Sequence, residues 1–107
     1  ELAANFLSKS GYRIIERNYR FARGEIDIIA EKDSMLVFVE VKTARTRKFG
    51  TPESWVTRRK QQQIAMVASR YLQENEILDM DCRFDVIAVS AIGKDWDVKH
   101  IENAFWL

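Results

Sequence analysis

The residues of this chain best suited to chemistry are Asp27 and the triplet Glu40-Val41-Lys42. Side chains alternate across a strand, so Glu40 and Lys42 project from one face, with Val37, Val39 and Val41 on the other. Glu25 and Asp27 share a face of the preceding run by the same rule. Residues 31–34 between the two runs suit a hairpin turn, which would set the strands side by side and let Asp27, Glu40 and Lys42 converge. Two carboxylates that close raise each other's pKa unless a cation lies between them. Mg²⁺ or Mn²⁺ would satisfy the pair, with the Val41 carbonyl as a further oxygen ligand. Lys42 would then orient a water or neutralise charge developing on a phosphate. The plainer alternative is a salt bridge at a sheet end, Lys42 with Glu40 or Asp27.

Composition narrows the chemistry. There is one cysteine, Cys82, and one histidine, His100. An intrachain disulfide, a multi-cysteine zinc site and a multi-histidine site are thereby excluded. Hydrolytic chemistry on this chain is expected to rest on carboxylates, lysines and a hard cation. The triplet alone is weak, since about one acid-x-Lys match is expected by chance. A second one exists, Asp97-Val98-Lys99, preceded by Asp85. It lies in an acidic neighbourhood with no helix after it, so Asp85, Asp97 and Lys99 read as solvated or structural.

The first triplet is followed by cations. Lys42, Arg45, Arg47, Lys48, Arg58, Arg59 and Lys60 stand against Glu53 alone, and Lys9, Arg13, Arg17, Arg20 and Arg23 against Glu16 alone. The net charge of +1 conceals this segregation. A phosphate backbone needs a cationic surround, so Arg45, Arg47, Lys48, Arg58, Arg59 and Lys60 are the expected nucleic-acid face.

The elements that must position these groups follow from periodicity. With 107 residues, 47% hydrophobic and 31% charged, residues 1–107 read as one soluble domain. No apolar run is long enough to span a membrane. The chain opens at Glu1 without an initiator Met, which suggests that residues precede it. Residues 1–10 carry a helical stripe of Leu2, Ala3, Phe6 and Leu7, ended by Gly11 in the left-handed conformation. Strands follow at 12–20, 25–30 and 35–42. A helix is predicted from Thr51 as N-cap, with Pro52 in its first turn, to about residue 75. Strands at 84–91 and 96–101 close the chain. The order is α-β-β-β-α-β-β, and the helical crossover predicts a mixed sheet in which the third and fourth strands are parallel.

Asp27, twelve intervening residues and Glu40-Val41-Lys42, on the second and third strands of an α-β-β-β-α-β core, resemble the PD-(D/E)xK restriction-endonuclease-like superfamily. The longer pattern is similar to the YraN-type family of predicted endonucleases, themselves similar to Holliday junction resolvases. The matching segments are Gly11-Tyr12, Arg17-Asn18, Gly24 to Ala30, Val37 to Thr43, Phe49-Gly50, Pro52, Lys60, Tyr71-Leu72, Arg83 to Val86, His100-Ile101 and Asn103 to Phe105. The resemblance implies Asp27 and Glu40 as metal ligands, Lys42 as catalytic lysine and Glu1 as a first-helix carboxylate joining the site. It implies a cytoplasmic Mg²⁺- or Mn²⁺-dependent nuclease acting on DNA, branched DNA included, with no membrane partner and with room for a homodimer. The alternative is a non-catalytic nucleic-acid-binding module that keeps the nuclease fold.

Overall fold

The computed structural model describes residues 1–44 and 56–105. Helix α1 (Leu2–Lys9) leads into three strands, β1 (Arg13–Phe21), β2 (Gly24–Lys32) and β3 (Met35–Ala44). Helix α2 (Arg58–Glu74) connects these to β4 (Asp81–Ile92) and β5 (Asp95–Ile101). The strands form one sheet in the order β1-β2-β3-β4-β5. Three pairings are antiparallel, and β3 with β4 is parallel, as the crossover through α2 requires. This is the mixed α/β sheet with the α-β-β-β-α-β core expected from the sequence.

Each helix covers one face. Ala3, Ala4 and Leu7 of α1 pack with Ile28, Ala30, Val37, Val39, Ile87 and Val89. Ile64, Val67, Ala68 and Tyr71 of α2 pack with Ile26, Ile29, Leu36, Phe38 and Val86. A fully buried Val or Phe contributes roughly 1.5–3 kcal/mol, so these two layers fix the strand faces, and with them the directions of Glu40 and Lys42. The β2–β3 hairpin is tight. Lys32 pairs with Met35 across Asp33 and Ser34, whose φ values of 52° and 63° are those of a type I′ turn. Gly11 is left-handed as expected, at φ 93°.

Two sequence expectations need correction. Helix α2 does not run unbroken from residue 51. Thr57 is extended (φ −64°, ψ 159°), and its side-chain oxygen caps the helix by accepting from the Lys60 N–H. Thr57 therefore has the capping chemistry expected of Thr51; Thr51, Pro52 and Trp55 lie outside the described residues. On α1, Leu2 is 42% exposed and Ala4 is buried in its place. No helix among the described residues is long and apolar enough to cross a membrane.

Candidate active site

Asp27 reaches its position through a break in strand alternation. Ile26 packs on the α2 face and Ile28 on the α1 face, two residues apart, where a regular strand would put them together. Asn18 stands across from Asp27, between the pairs Arg17–Ile28 and Tyr19–Ile26, and has φ 53°. Asn tolerates this left-handed backbone better than most residues. Pairing of β2 with β3 ends at Ile28–Val39. Beyond that point the Asp27 side chain takes the place of the ladder, and its Oδ2 accepts from the Val41 N–H at 2.7 Å. Asp27 and Glu25 are therefore not equivalent by alternation, and Glu25 is engaged with Arg20 at 3.0 Å.

Glu40 comes to the same place from the other side. It follows Phe38 on the α2 face, among Ile26, Ile64 and Phe105, and is 8% exposed. Burial pushes its pKa up, and the neighbouring Asp27 charge and a hydrogen bond between the two carboxyl groups push further. The Lys60 and Lys42 charges pull it down, and the balance lies at about 7. Lys42 Nζ is 3.7 Å and Lys60 Nζ 3.9 Å from the same oxygen, Glu40 Oε2. Both distances are too long for a hydrogen bond.

On the α1 side, Asp27 and Val41 open onto a cleft of about 220 Å³ whose walls include Glu1, Arg17 and Asn18. Glu1 is thus in the neighbourhood expected of it. Its carboxylate accepts from Arg17 Nη1 at 2.7 Å and is otherwise largely exposed. Among the described residues, no group of three or more His, Cys, Asp or Glu side chains is gathered closely enough to hold a metal ion. The donors at hand are the Asp27–Glu40 pair, both hard oxygen ligands. That set fits Mg²⁺ or Mn²⁺, since Mg²⁺ is usually held by one or two carboxylates plus waters and substrate phosphates.

The chain matches the model of the "Uncharacterised protein family UPF0102" over residues 1–89, which include Glu1, Asp27, Glu40, Lys42 and Lys60. It belongs to that family. It is 48% identical over 112 residues to a UPF0102 protein of Prosthecochloris aestuarii, an alignment covering 99% of this chain and 88% of the relative. It is 47% identical over 108 residues to one of Geobacter sulfurreducens, covering 100% and 84%. It is 50% identical over 107 residues to one of Symbiobacterium thermophilum, covering 98% and 90%.

The remaining expected residues of this UPF0102 protein divide into three groups. Arg58 and Arg59 are exposed at the start of α2, next to Lys60, whereas Arg45, Arg47 and Lys48 lie outside the described residues. The basic stretch 9–23 is largely neutralised by acids outside it, because Arg13 pairs with Glu31, Arg17 with Glu1 and Arg20 with Glu25. The second triplet has no part in the site. Asp97 and Lys99 are exposed, and Asp85 is fully buried in a separate hydrogen-bond network. Two features escaped the sequence reading. One is the approach of Lys60 to Glu40, which needs the helix docked. The other is the left-handed Asn18, of which the Arg17-Asn18 motif was the only available signal.

Proposed function

We propose that this UPF0102 protein is a metal-dependent nuclease that hydrolyses DNA phosphodiester bonds, branched DNA included. Asp27 and Glu40 would hold Mg²⁺ or Mn²⁺. The observation that carries the reading is the Asp27–Glu40 pair: Asp27 is held by the Val41 N–H at 2.7 Å, and Glu40, buried and with the Lys42 and Lys60 ammonium groups at 3.7 and 3.9 Å, has its pKa pushed up by burial and then by the Asp27 charge. Two carboxyl groups so placed repel each other when both are ionised, and a hard cation between them would relieve that repulsion. When bound, that cation supplies a polarised water and charge neutralisation.

The chain's own residues supply the rest. The Val41 N–H fixes the orientation of Asp27. Lys42, 36% exposed and beside Glu40, can donate to a phosphate oxygen as charge builds there. Arg58 and Arg59 can hold neighbouring phosphates; Arg45, Arg47 and Lys48, which lie outside the described residues, are further cations proposed to bind the nucleic acid. In the reaction, water adds to phosphorus, one P–O ester bond breaks, and the departing oxygen takes up a proton.

Mn²⁺ titration and nicking of branched and linear DNA test this reading. Glu40→Ala removes a cation ligand, so metal affinity and cleavage should both fall. Lys42→Ala should leave the cation bound while cleavage falls roughly 10²–10³-fold. Wild type that cuts nothing with either cation, or variants that cut as well as wild type, would reject the nuclease. The second reading, a non-catalytic nucleic-acid-binding module, is favoured by one observation: no three-ligand cluster forms among the described residues. It would bind DNA with steep salt dependence and cut none.

A further inference from the structure

Two lysines on one carboxylate oxygen are more than a salt bridge needs. They arrive on separate elements, Lys42 on β3 and Lys60 in the first turn of α2. Lys60 is held on course by the capped turn. Its own N–H is bound to Thr57 Oγ1 at 3.2 Å, and the next residue, Gln61, donates its side-chain amide to the Val56 carbonyl at 3.0 Å. Its ammonium, 3.9 Å from Glu40 Oε2, is not hydrogen-bonded to it, and the side chain is 38% exposed. Among the described residues the Lys60 ammonium is thus tethered by charge alone, with part of the side chain open to solvent. Asp27 and Glu40 together carry up to two negative charges, and Lys42 and Lys60 match them with two positive ones. A divalent cation arriving between the carboxylates doubles the positive charge at that point and repels both ammonium groups.

We propose that Lys60 is a resident counter-ion of the Asp27–Glu40 pair, displaced when a divalent cation binds and then available to a phosphate of the nucleic acid. Lys60 is thus a positioning residue, set apart from Arg58 and Arg59, which are exposed. The proposal rests on the metal-dependent reading above. It adds a competition: Lys60 opposes the cation in the free protein and assists nucleic-acid binding in the loaded one.

The first test uses wild type alone. The rate at which a water-soluble acylating reagent modifies the Lys60 amine is followed by peptide mass spectrometry, with and without Mn²⁺. The rate should rise several-fold with Mn²⁺, while Lys94, exposed and distant, stays constant. The second test compares Mn²⁺ affinity by calorimetry in wild type, Lys60→Met and Lys60→Arg at pH 8. Lys60→Met should bind Mn²⁺ about three- to tenfold more tightly, and Lys60→Arg should resemble wild type. In Ca²⁺, Lys60→Met should bind a short duplex about three- to tenfold more weakly, with a salt slope smaller by about one phosphate. Unchanged or weaker Mn²⁺ binding by Lys60→Met, or a Lys60 acylation rate indifferent to Mn²⁺, would reduce Lys60 to an ordinary salt-bridge partner and leave the nuclease reading standing. Wild type that binds no Mn²⁺ would remove the metal-dependent reading, and the proposal with it.

Discussion

Glu40 and Asp85 lie on neighbouring parallel strands, one register step apart: Glu40 pairs with Val86, and Asp85 with Val39. They face opposite helices and meet opposite treatment. Asp85 is fully buried, and burial, the largest influence on it, would raise its pKa. Its partners outweigh that. His100 Nε2 lies at 2.7 Å, Arg83 donates from both Nε and Nη2 at 2.8 Å, and the Asn103 N–H donates at 2.9 Å. The net result is a lowered pKa. Glu40 is buried too, but it has a second carboxyl group beside it and two ammonium groups beyond hydrogen-bond range, so burial first and the Asp27 charge second leave its pKa raised. A carboxylate whose acceptor sites are all filled stabilises a fold. One left in want of charge is a place for a ligand.

The first way to break the contrast is at Asp85. Asp85→Ala leaves Arg83, whose side chain is only 15% exposed, without its bidentate partner and orphans the Asn103 N–H. Removing one member of a buried ion pair costs about 3–5 kcal/mol. Chemical denaturation at pH 7 should show that loss, and Mn²⁺ affinity should be unchanged in the folded fraction. The pH signature follows from the lowered pKa: the Asp85 contribution is complete at neutral pH and is lost only as pH falls below 3.8 and through the lower folded value. A variant as stable as wild type would mean that the network contributes nothing, and the contrast would collapse from that side.

Glu40 should behave in the opposite sense. Its pKa rises from 4.5 in the unfolded chain to about 7 in the folded one, so between those values the folded state holds the proton more tightly. Stability therefore falls as pH rises through that window, by roughly 3–4 kcal/mol in total, and stays low above pH 7. Glu40→Gln keeps the shape without the charge. It should stabilise the cation-free protein by roughly 3–4 kcal/mol at pH 8 and by little at pH 4, as measured by denaturant midpoints. Mn²⁺ should stabilise wild type and not the variant. Equal midpoints at pH 8 would show that Glu40 is already satisfied and has no need of a cation.

The sequence discloses more of this molecule along its strands than between them. Period-2 runs of Val, Ile and Phe mark β2, β3 and β4, and the helical crossover dictates the parallel pairing, because few topologies join such strands. The side-by-side placement of Asp27 and Glu40 follows from the tight hairpin at Asp33-Ser34. Interactions set by docking are not legible in the same way. Glu31 pairs with Arg13 only because of the β1–β2 register, and Lys60 meets Glu40 only because α2 lies over that face. Asp85 looks like an ordinary acid until β5 delivers His100 and the chain after it delivers Asn103. Thr51 and Thr57 offer the same capping chemistry, and local sequence cannot choose between them.

The smallest expected effect probes how Asp27 is aimed. If alternation held through Asn18 and Asp27, Asp27 would stand on one sheet face and could not both accept from the Val41 N–H and bring its charge to bear on Glu40. The left-handed backbone at Asn18, φ 53°, accompanies the break on the neighbouring strand. Glycine adopts that conformation freely, whereas a β-branched residue there is strained by about 1–3 kcal/mol. Asn18→Gly should therefore leave stability within about 0.5 kcal/mol and leave Mn²⁺ affinity intact. Asn18→Val should lose about 1–2 kcal/mol, or else straighten β1 and move Asp27 away from Val41. The two responses separate by hydrogen exchange at the Val41 amide, which its bond to Asp27 protects in wild type. Fast exchange in Asn18→Val with slow exchange in Asn18→Gly, and unaltered protection at Asn103 beside Asp85 in both, would confine the effect to the site. Slow exchange and wild-type stability in Asn18→Val would mean that the strand break is held elsewhere and that Asn18 only tolerates it.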